Sequence, residues 1–131
     1  MTELKDKLVL VVDDDADVRA TAASALHVLG YRVLEAGEGA AALAVLAKEP
    51  EVHLMLCDAM LPGGMLGPDL AQRALERRPR LRVLHTSGLM GSVPRLRELQ
   101  PTAEVLHKPY AIGDLARKVR AVLDEEKRDA E

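Results

Sequence analysis

Five short apolar runs alternate with stretches of helical periodicity along this chain, and that alternation admits few folds. The runs are Lys7–Val12, Arg32–Ala36, Val52–Cys57, Arg82–Thr86 and Glu104–His107, and most are rich in β-branched residues. The first, third and fourth have few polar positions, as strands buried on both faces do. Between them, apolar residues recur at helical spacing. Val18, Ala22, Ala25 and Leu29 share one face of Ala16–Leu29. Leu43, Leu46 and Ala47 do so in Gly39–Lys48, and Leu70, Ala74 and Leu75 in Gly67–Arg78. Leu115, Val119, Val122 and Leu123 do so in Ile112–Glu126. Pro94 suits the first turn of a short helix ending near Leu99, with Pro101 beyond it. Gly30 stands where the first helix needs a C-terminal cap. The connections are too long for hairpins and long enough for crossovers. The expected fold is α/β: an open parallel sheet with helices on both faces.

Size and composition agree with one such unit. The chain has 131 residues, 48% of them apolar and 30% charged. That is one domain's length, able to bury a core without disulfide staples. We expect a single domain over 1–131, with a core over about 7–123 and a charged tail over 124–131. No apolar run reaches the roughly 18 residues of a membrane span. Met1–Lys7 is charged and polar, unlike a signal peptide, and the single cysteine excludes an internal disulfide. Together these point to the cytoplasm. The net charge is -3, and there are two tyrosines, no phenylalanine and no tryptophan. Neither a strong basic field nor stacking platforms exist for nucleic acid. Leucine, alanine and valine must build the core.

In an open α/β sheet, ligands bind beyond the carboxyl ends of the strands. Asp13, Asp14 and Asp15 follow the first run, and Asp58 follows the third. Thr86, Ser87 and Gly88 end the fourth, and Lys108–Pro109 follows the fifth. The second contributes only Glu35 and small residues, as an edge strand would. Carboxylates gathered from two strand ends repel one another and need a counter-charge. A hard divalent cation with oxygen ligands supplies it, and few carboxylates with several waters suits Mg²⁺, or Mn²⁺. Lys108 adds a second positive charge. A hydroxyl beside a metal and a lysine is what a transferred phosphoryl group needs, since each of its oxygens then meets a donor or a cation. Asp14 or Asp15 alone could simply cap the first helix. The whole set at successive strand ends calls for more than capping.

Other chemistries fail on detail. Neither G-x-x-x-x-G-K-[ST] nor G-x-G-x-x-G follows the first run, and the glycines of Pro62–Gly67 match neither. No G-x-S-x-G elbow is present. His27, His53, His85, His107 and Cys57 are scattered among apolar neighbours and read as packing or surface residues.

LVLVVDDD (Leu8–Asp15), LMLCDAMLPGGMLGPDLA (Leu54–Ala71), VLHTSG (Val83–Gly88) and LHKPY (Leu106–Tyr110) together resemble the receiver domain of two-component response regulators. The central stretch is closest in style to receivers associated with hybrid sensor kinases. The resemblance implies a flavodoxin-like, doubly wound (βα)5 fold with strand order 2-1-3-4-5. It implies that Asp58 is the phospho-acceptor, that Asp14 binds the metal directly and Asp13 through water, and that Met60 gives its backbone carbonyl. Ser87 takes the place of the switch hydroxyl, with Thr86 the neighbouring candidate on the other side of the strand. Lys108 would pair with the phosphoryl oxygen, and the Lys108–Pro109 bond would be cis. The implied partners are a sensor histidine kinase or histidine phosphotransfer protein and a downstream target, with the chain a monomer or weak homodimer. It is then a signalling phospho-acceptor rather than an enzyme. It is either free-standing or cut from a longer hybrid kinase.

Three positions depart from the family pattern. Val105 stands where an aromatic ring is usual, so the output face is expected to respond through helix and loop shifts. Gly88, Gly91 and Pro94 leave room only for a short helix after the fourth strand, which puts dimerisation by that face in doubt. Met60 and Leu89, at positions that tune hydrolysis, are both apolar and imply slow loss of the phosphoryl group. Two other readings differ in class. A non-phosphorylated pseudo-receiver would not need the complete site. An aspartyl-nucleophile phosphatase would want a second carboxylate two residues after Asp58, where Met60 stands.

Overall fold

A computed structural model describes residues 7–61, 65–88, 96–98 and 103–124. The elements run β1 (Leu8–Val12), α1 (Ala16–Val28), β2 (Arg32–Ala36), α2 (Gly39–Lys48), β3 (Val52–Asp58), α3 (Gly67–Arg77), β4 (Arg82–Ser87), β5 (Glu104–His107) and α4 (Ile112–Asp124). The strands form one parallel sheet in the order β2-β1-β3-β4-β5. Both the α/β class and the expected order therefore hold. β3 and β4 each run one residue past their expected ends, because Asp58 still pairs with Thr86 and Ser87 with His107.

Side-chain alternation along the strands sends successive residues to opposite faces, and each face builds its own core. Leu8, Leu10, Val12, Met55 and Cys57 pack with Ala42 and Leu46 of α2 and Leu70, Ala71 and Ala74 of α3. Val9, Val11, Leu54, Leu56 and Leu84 pack with Ala22, Ala25 and Leu26 of α1 and Leu115, Val119, Val122 and Leu123 of α4. All five residues of β1 are buried, as its apolar run required.

The helix boundaries follow local chemistry. Asp15, rather than Asp14, caps α1: its Oδ1 accepts from the N–H groups of Asp17 at 2.9 Å and Val18 at 3.1 Å. Gly30 ends that helix with φ of 106°, a conformation that costs a glycine little, and donates its N–H to His27 O. The buried face of α1 is Ala22, Ala23, Ala25 and Leu26. The expected stripe through Val18 and Leu29 is only half-buried at its two ends, because Leu26 fills the core and the chain turns away at Leu29. Among the described residues no helix is long and apolar enough to cross a membrane.

Leu96–Glu98 is helical, within the short helix expected between Pro94 and Leu99. Leu89, Gly91, Pro94, Leu99 and Pro101 lie outside the described residues, as do Met1–Asp6, the turn at 62–64 and the tail at 125–131.

Candidate functional site

Strand order reverses direction of growth between β1 and β3, so the loops that follow these two strands part to opposite faces and open a crevice at their carboxyl ends. β1 feeds α1 on one face, and β3 feeds α3 on the other. Asp13 and Asp14 follow β1, and Asp58 ends β3. The register pairs Val12 with Cys57, which puts Asp13 level with Asp58. One carboxylate oxygen from each of Asp13, Asp14 and Asp58 lies within 4.8 Å of the others. Asp13 and Asp58 are buried, and Asp14 is exposed.

Lys108, one residue beyond β5, reaches across to both buried acids. Its Nζ lies 3.0 Å from Asp13 Oδ2 and 3.1 Å from Asp58 Oδ2. Its own backbone is held by a hydrogen bond from Lys108 N–H to Ser87 O at 2.8 Å. The Lys108–Pro109 peptide bond is cis. The remaining oxygen of each buried acid is also satisfied: Asp13 Oδ1 accepts from Asp15 N–H at 3.0 Å, and Asp58 Oδ1 from Met60 N–H at 3.0 Å. Both acids are thus aimed by backbone donors before any ligand arrives.

The electrostatics follow from this crowding. Burial raises the pKa of the Asp58 carboxyl; the Met60 N–H and Lys108 pull it down without cancelling the rise, and the Asp13 charge adds to it. Burial works against the Lys108 ammonium, but hydrogen bonds and charge from Asp13 and Asp58 outweigh it, so its pKa is raised. Three carboxylates against one ammonium leave two negative charges in excess. Oxygen donors with an excess of two charges fit one divalent cation, and Asp13, Asp14 and Asp58 are the groups that could hold it.

Ser87 is the last residue of β4, buried, one step beyond Thr86, the register partner of Asp58. Thr86 is equally buried, and its carbonyl accepts from Ala59 N–H at 2.8 Å. Alternation puts the two hydroxyls on opposite faces. The Met60 side chain is 43% exposed, so it is the backbone of Met60 that lies against the carboxylate. Val105 is half-buried, and its neighbour on β4 is His85, which is fully buried. His53 accepts from Leu8 N–H through Nδ1, and His27 and His107 are exposed, in keeping with packing and surface roles.

Two residues that the sequence reading passed over also shape the site. Gly67 begins α3 directly against the backbone of Asp58: a Cβ there would lie 2.3 Å from Asp58 O and 2.7 Å from Ala59 Cα. Gly67 lies in the glycine-rich run within Leu54–Ala71, but a need for empty space behind one residue has no local signature. Arg19 donates from its guanidinium to Asp13 O at 2.8 Å and pairs with Glu35 at 3.2 Å, tying β1's end to edge strand β2. The Asp13 and Glu35 positions were visible, but the pairing requires knowing that β1 and β2 are neighbours.

A groove of about 590 Å³ opens beside Lys108, between Asp17, Val18 and Thr21 of α1 and Gly88 and Tyr110. Through Thr21 it meets a second hollow of about 410 Å³, bordered by Ser24, Val28 and Ile112. Val28 is 86% exposed and Ile112 60%.

The family model for the response regulator receiver domain matches residues 9–120. The response regulator receiver protein CpdR of Brucella abortus is 34% identical over 118 residues, which span 89% of this chain and 97% of that protein. The sensor kinase CckA of the same organism is 31% identical over 121 residues, 90% of this chain but only 13% of that protein. Among solved structures, the CheY-like response regulator receiver domain protein of Methanospirillum hungatei superposes with a TM-score of 0.83 at 28% identity, covering 94% of this chain and 98% of the other.

Proposed function

This chain belongs to the response regulator receiver domain family, and from that premise we propose that Asp58 accepts a phosphoryl group from a phosphohistidine on a partner protein. The observation that carries this reading is the Lys108 ammonium held between Asp13 Oδ2 and Asp58 Oδ2 at the carboxyl ends of β1 and β3.

On this reading the whole chain acts as one receiver domain. An Asp58 oxygen attacks the phosphorus in line; the new O–P bond forms as the P–N bond breaks, and its electrons stay on the departing imidazole nitrogen. Lys108 is positioned to follow the charge from the carboxylate onto the phosphoryl oxygens. Asp13, Asp14, Asp58 and the Met60 carbonyl would hold Mg²⁺, or Mn²⁺, with Asp13 acting through water. When bound, the cation supplies neutralisation of the negative charge on the transferred group. Ser87 would turn its hydroxyl toward the phosphoryl dianion, biasing the segment that follows β4. Thr86 is the weaker candidate, since it faces the other side of the strand.

The donor would be a sensor histidine kinase or a histidine phosphotransfer protein. The groove along α1 supports this, because it begins at Lys108 and carries exposed Val28 and Ile112. The output is a changed protein surface, and the chain turns over no metabolite.

The test is intact mass after incubation with Mg²⁺ and acetyl phosphate, beside Asp58→Asn. We expect a gain of about 80 Da in the native protein alone. No gain, with Mg²⁺ binding confirmed separately, would turn the reading toward a non-phosphorylated interaction module.

A further inference from the structure

At the opposite end of the sheet from Asp58, a cleft of about 670 Å³ opens between the Pro50–His53 and Arg77–Arg82 segments. We propose that this cleft binds a small anion carrying two or more phosphate groups.

Its charge is out of keeping with the molecule around it. The chain carries a net charge of -3, yet Arg77, Arg78, Arg80 and Arg82 all line this cleft. The one acid in the lining is Glu51, and its carboxylate is held by Arg32 at 3.1 Å. Arg78 forms the rigid part. Its guanidinium donates to the carbonyls of Leu46, Glu49 and Val52, each at 3.1 Å, and to that of Pro50. These bonds fasten the α2–β3 connection to the end of α3 and fix a positive charge in the wall. Arg77 and Arg80 are exposed, and among the described residues neither has an ion pair or hydrogen bond. Their donors are available to a ligand.

A cation in the last turn of a helix complements the helix dipole, and Arg77 alone would need no further account. Arg80 and Arg82 lie beyond the helix and gain nothing from it. Several guanidiniums converging on one hollow offer more forked donors than a single carboxylate can accept, whereas linked phosphates can engage them together. The volume lies in the range of small-ligand sites, roughly 300–1,000 Å³. Pro50, Pro79 and Leu81 add an apolar wall. A concave hollow of this size favours a compact polyphosphate over an extended acidic peptide.

The experiment is a titration of the isotopically labelled protein with inorganic pyrophosphate, and separately with ADP, followed by amide chemical shifts. Expected are saturable shifts at Glu51–His53 and Arg80–Arg82, half-complete below about 1 mM at low salt and weakened by high salt. Arg77→Gln/Arg80→Gln, on an exposed surface, should fold normally, still gain mass at Asp58, and loosen binding at least about tenfold. Tighter binding of ADP than of pyrophosphate would assign an organic phosphate; equal binding would assign the phosphates alone. Shifts confined to the surroundings of Asp58 and Lys108, unchanged affinity in the double variant, or stronger binding of a polyglutamate peptide would each overturn the proposal.

Discussion

Lys108 Nζ sits 3.1 Å from Asp58 Oδ2, and these two residues are joined across the sheet from β5 to β3 although fifty positions separate them. Lys108 makes a second contact of nearly the same length to Asp13, so one ammonium serves two buried acids. Lys108→Met keeps length and apolar stem but removes that charge. We expect phosphorylation of Asp58 by acetyl phosphate to slow by about a hundredfold or more, as when a charge-stabilising donor is lost. Far-ultraviolet circular dichroism should show the fold retained. A rate within a factor of two of the native protein would remove Lys108 from the transfer step.

Asp14 allows the proposed metal binding to be tested apart from folding. It is exposed, and among the described residues it makes no ion pair or hydrogen bond. Asp13 instead holds both Lys108 and the Asp15 N–H. Asp14→Asn should therefore change stability by no more than about 0.5 kcal/mol, while Mg²⁺ affinity by calorimetry falls clearly. Unchanged Mg²⁺ affinity would exclude Asp14 as a ligand.

Gly67 provides space behind Asp58. A Cβ at this position meets backbone atoms of Asp58 and Ala59, which cannot swing aside as a side chain can. Gly67→Ala should cost at least about 1–3 kcal/mol by denaturant unfolding and slow the mass gain at Asp58. Gly88→Ala is the control, because its Cβ would meet Lys108 carbons at an ordinary 3.7 Å. Equal behaviour of the two variants would show that the contact behind Asp58 is immaterial.

Cys57 lies fully buried between Asp58 and the core, and burial first, then the charges of Asp58 and Asp13, push its thiol pKa well up. In the unfolded chain a thiol titrates near ~8.5. Above that pH the unfolded state gives up a proton that the native state keeps, so stability falls as pH rises, by up to about 1.4 kcal/mol per unit. Below it, the thiol has no effect on the pH dependence. Unfolding of the native protein and of Cys57→Ala, compared at neutral and at alkaline pH, should show the extra slope in the native protein only. The folded protein should also resist thiol-specific reagents. Rapid labelling of the folded state would contradict the burial.

Much of this molecule was legible in one dimension because its signals are local and repeated. The apolar run Leu8–Val12 is buried throughout, and α2 falls on Gly39–Lys48 as its periodicity predicted. The acids at strand ends and the Lys108–Pro109 pair could be read because in a parallel sheet every strand delivers its next residues to the same end. The stripe of α1 was less legible. Ala23 and Leu26 proved to be buried while Val18 and Leu29 were only partly so, since small alanines satisfy more than one helix rotation.

The sequence by itself determined which residues could meet: alternating strand and helix periods set the layers, and strand ends set the candidate site. Only the tertiary structure decided how they meet. That Lys108 reaches both Asp13 and Asp58, that Arg19 pairs with Glu35 on the neighbouring strand, and that the arginines of Arg77–Arg82 face Pro50–His53 across a cleft are relations among segments distant along the chain. Distances of this kind are fixed by packing two cores against one twisted sheet, and no local pattern of residues encodes them.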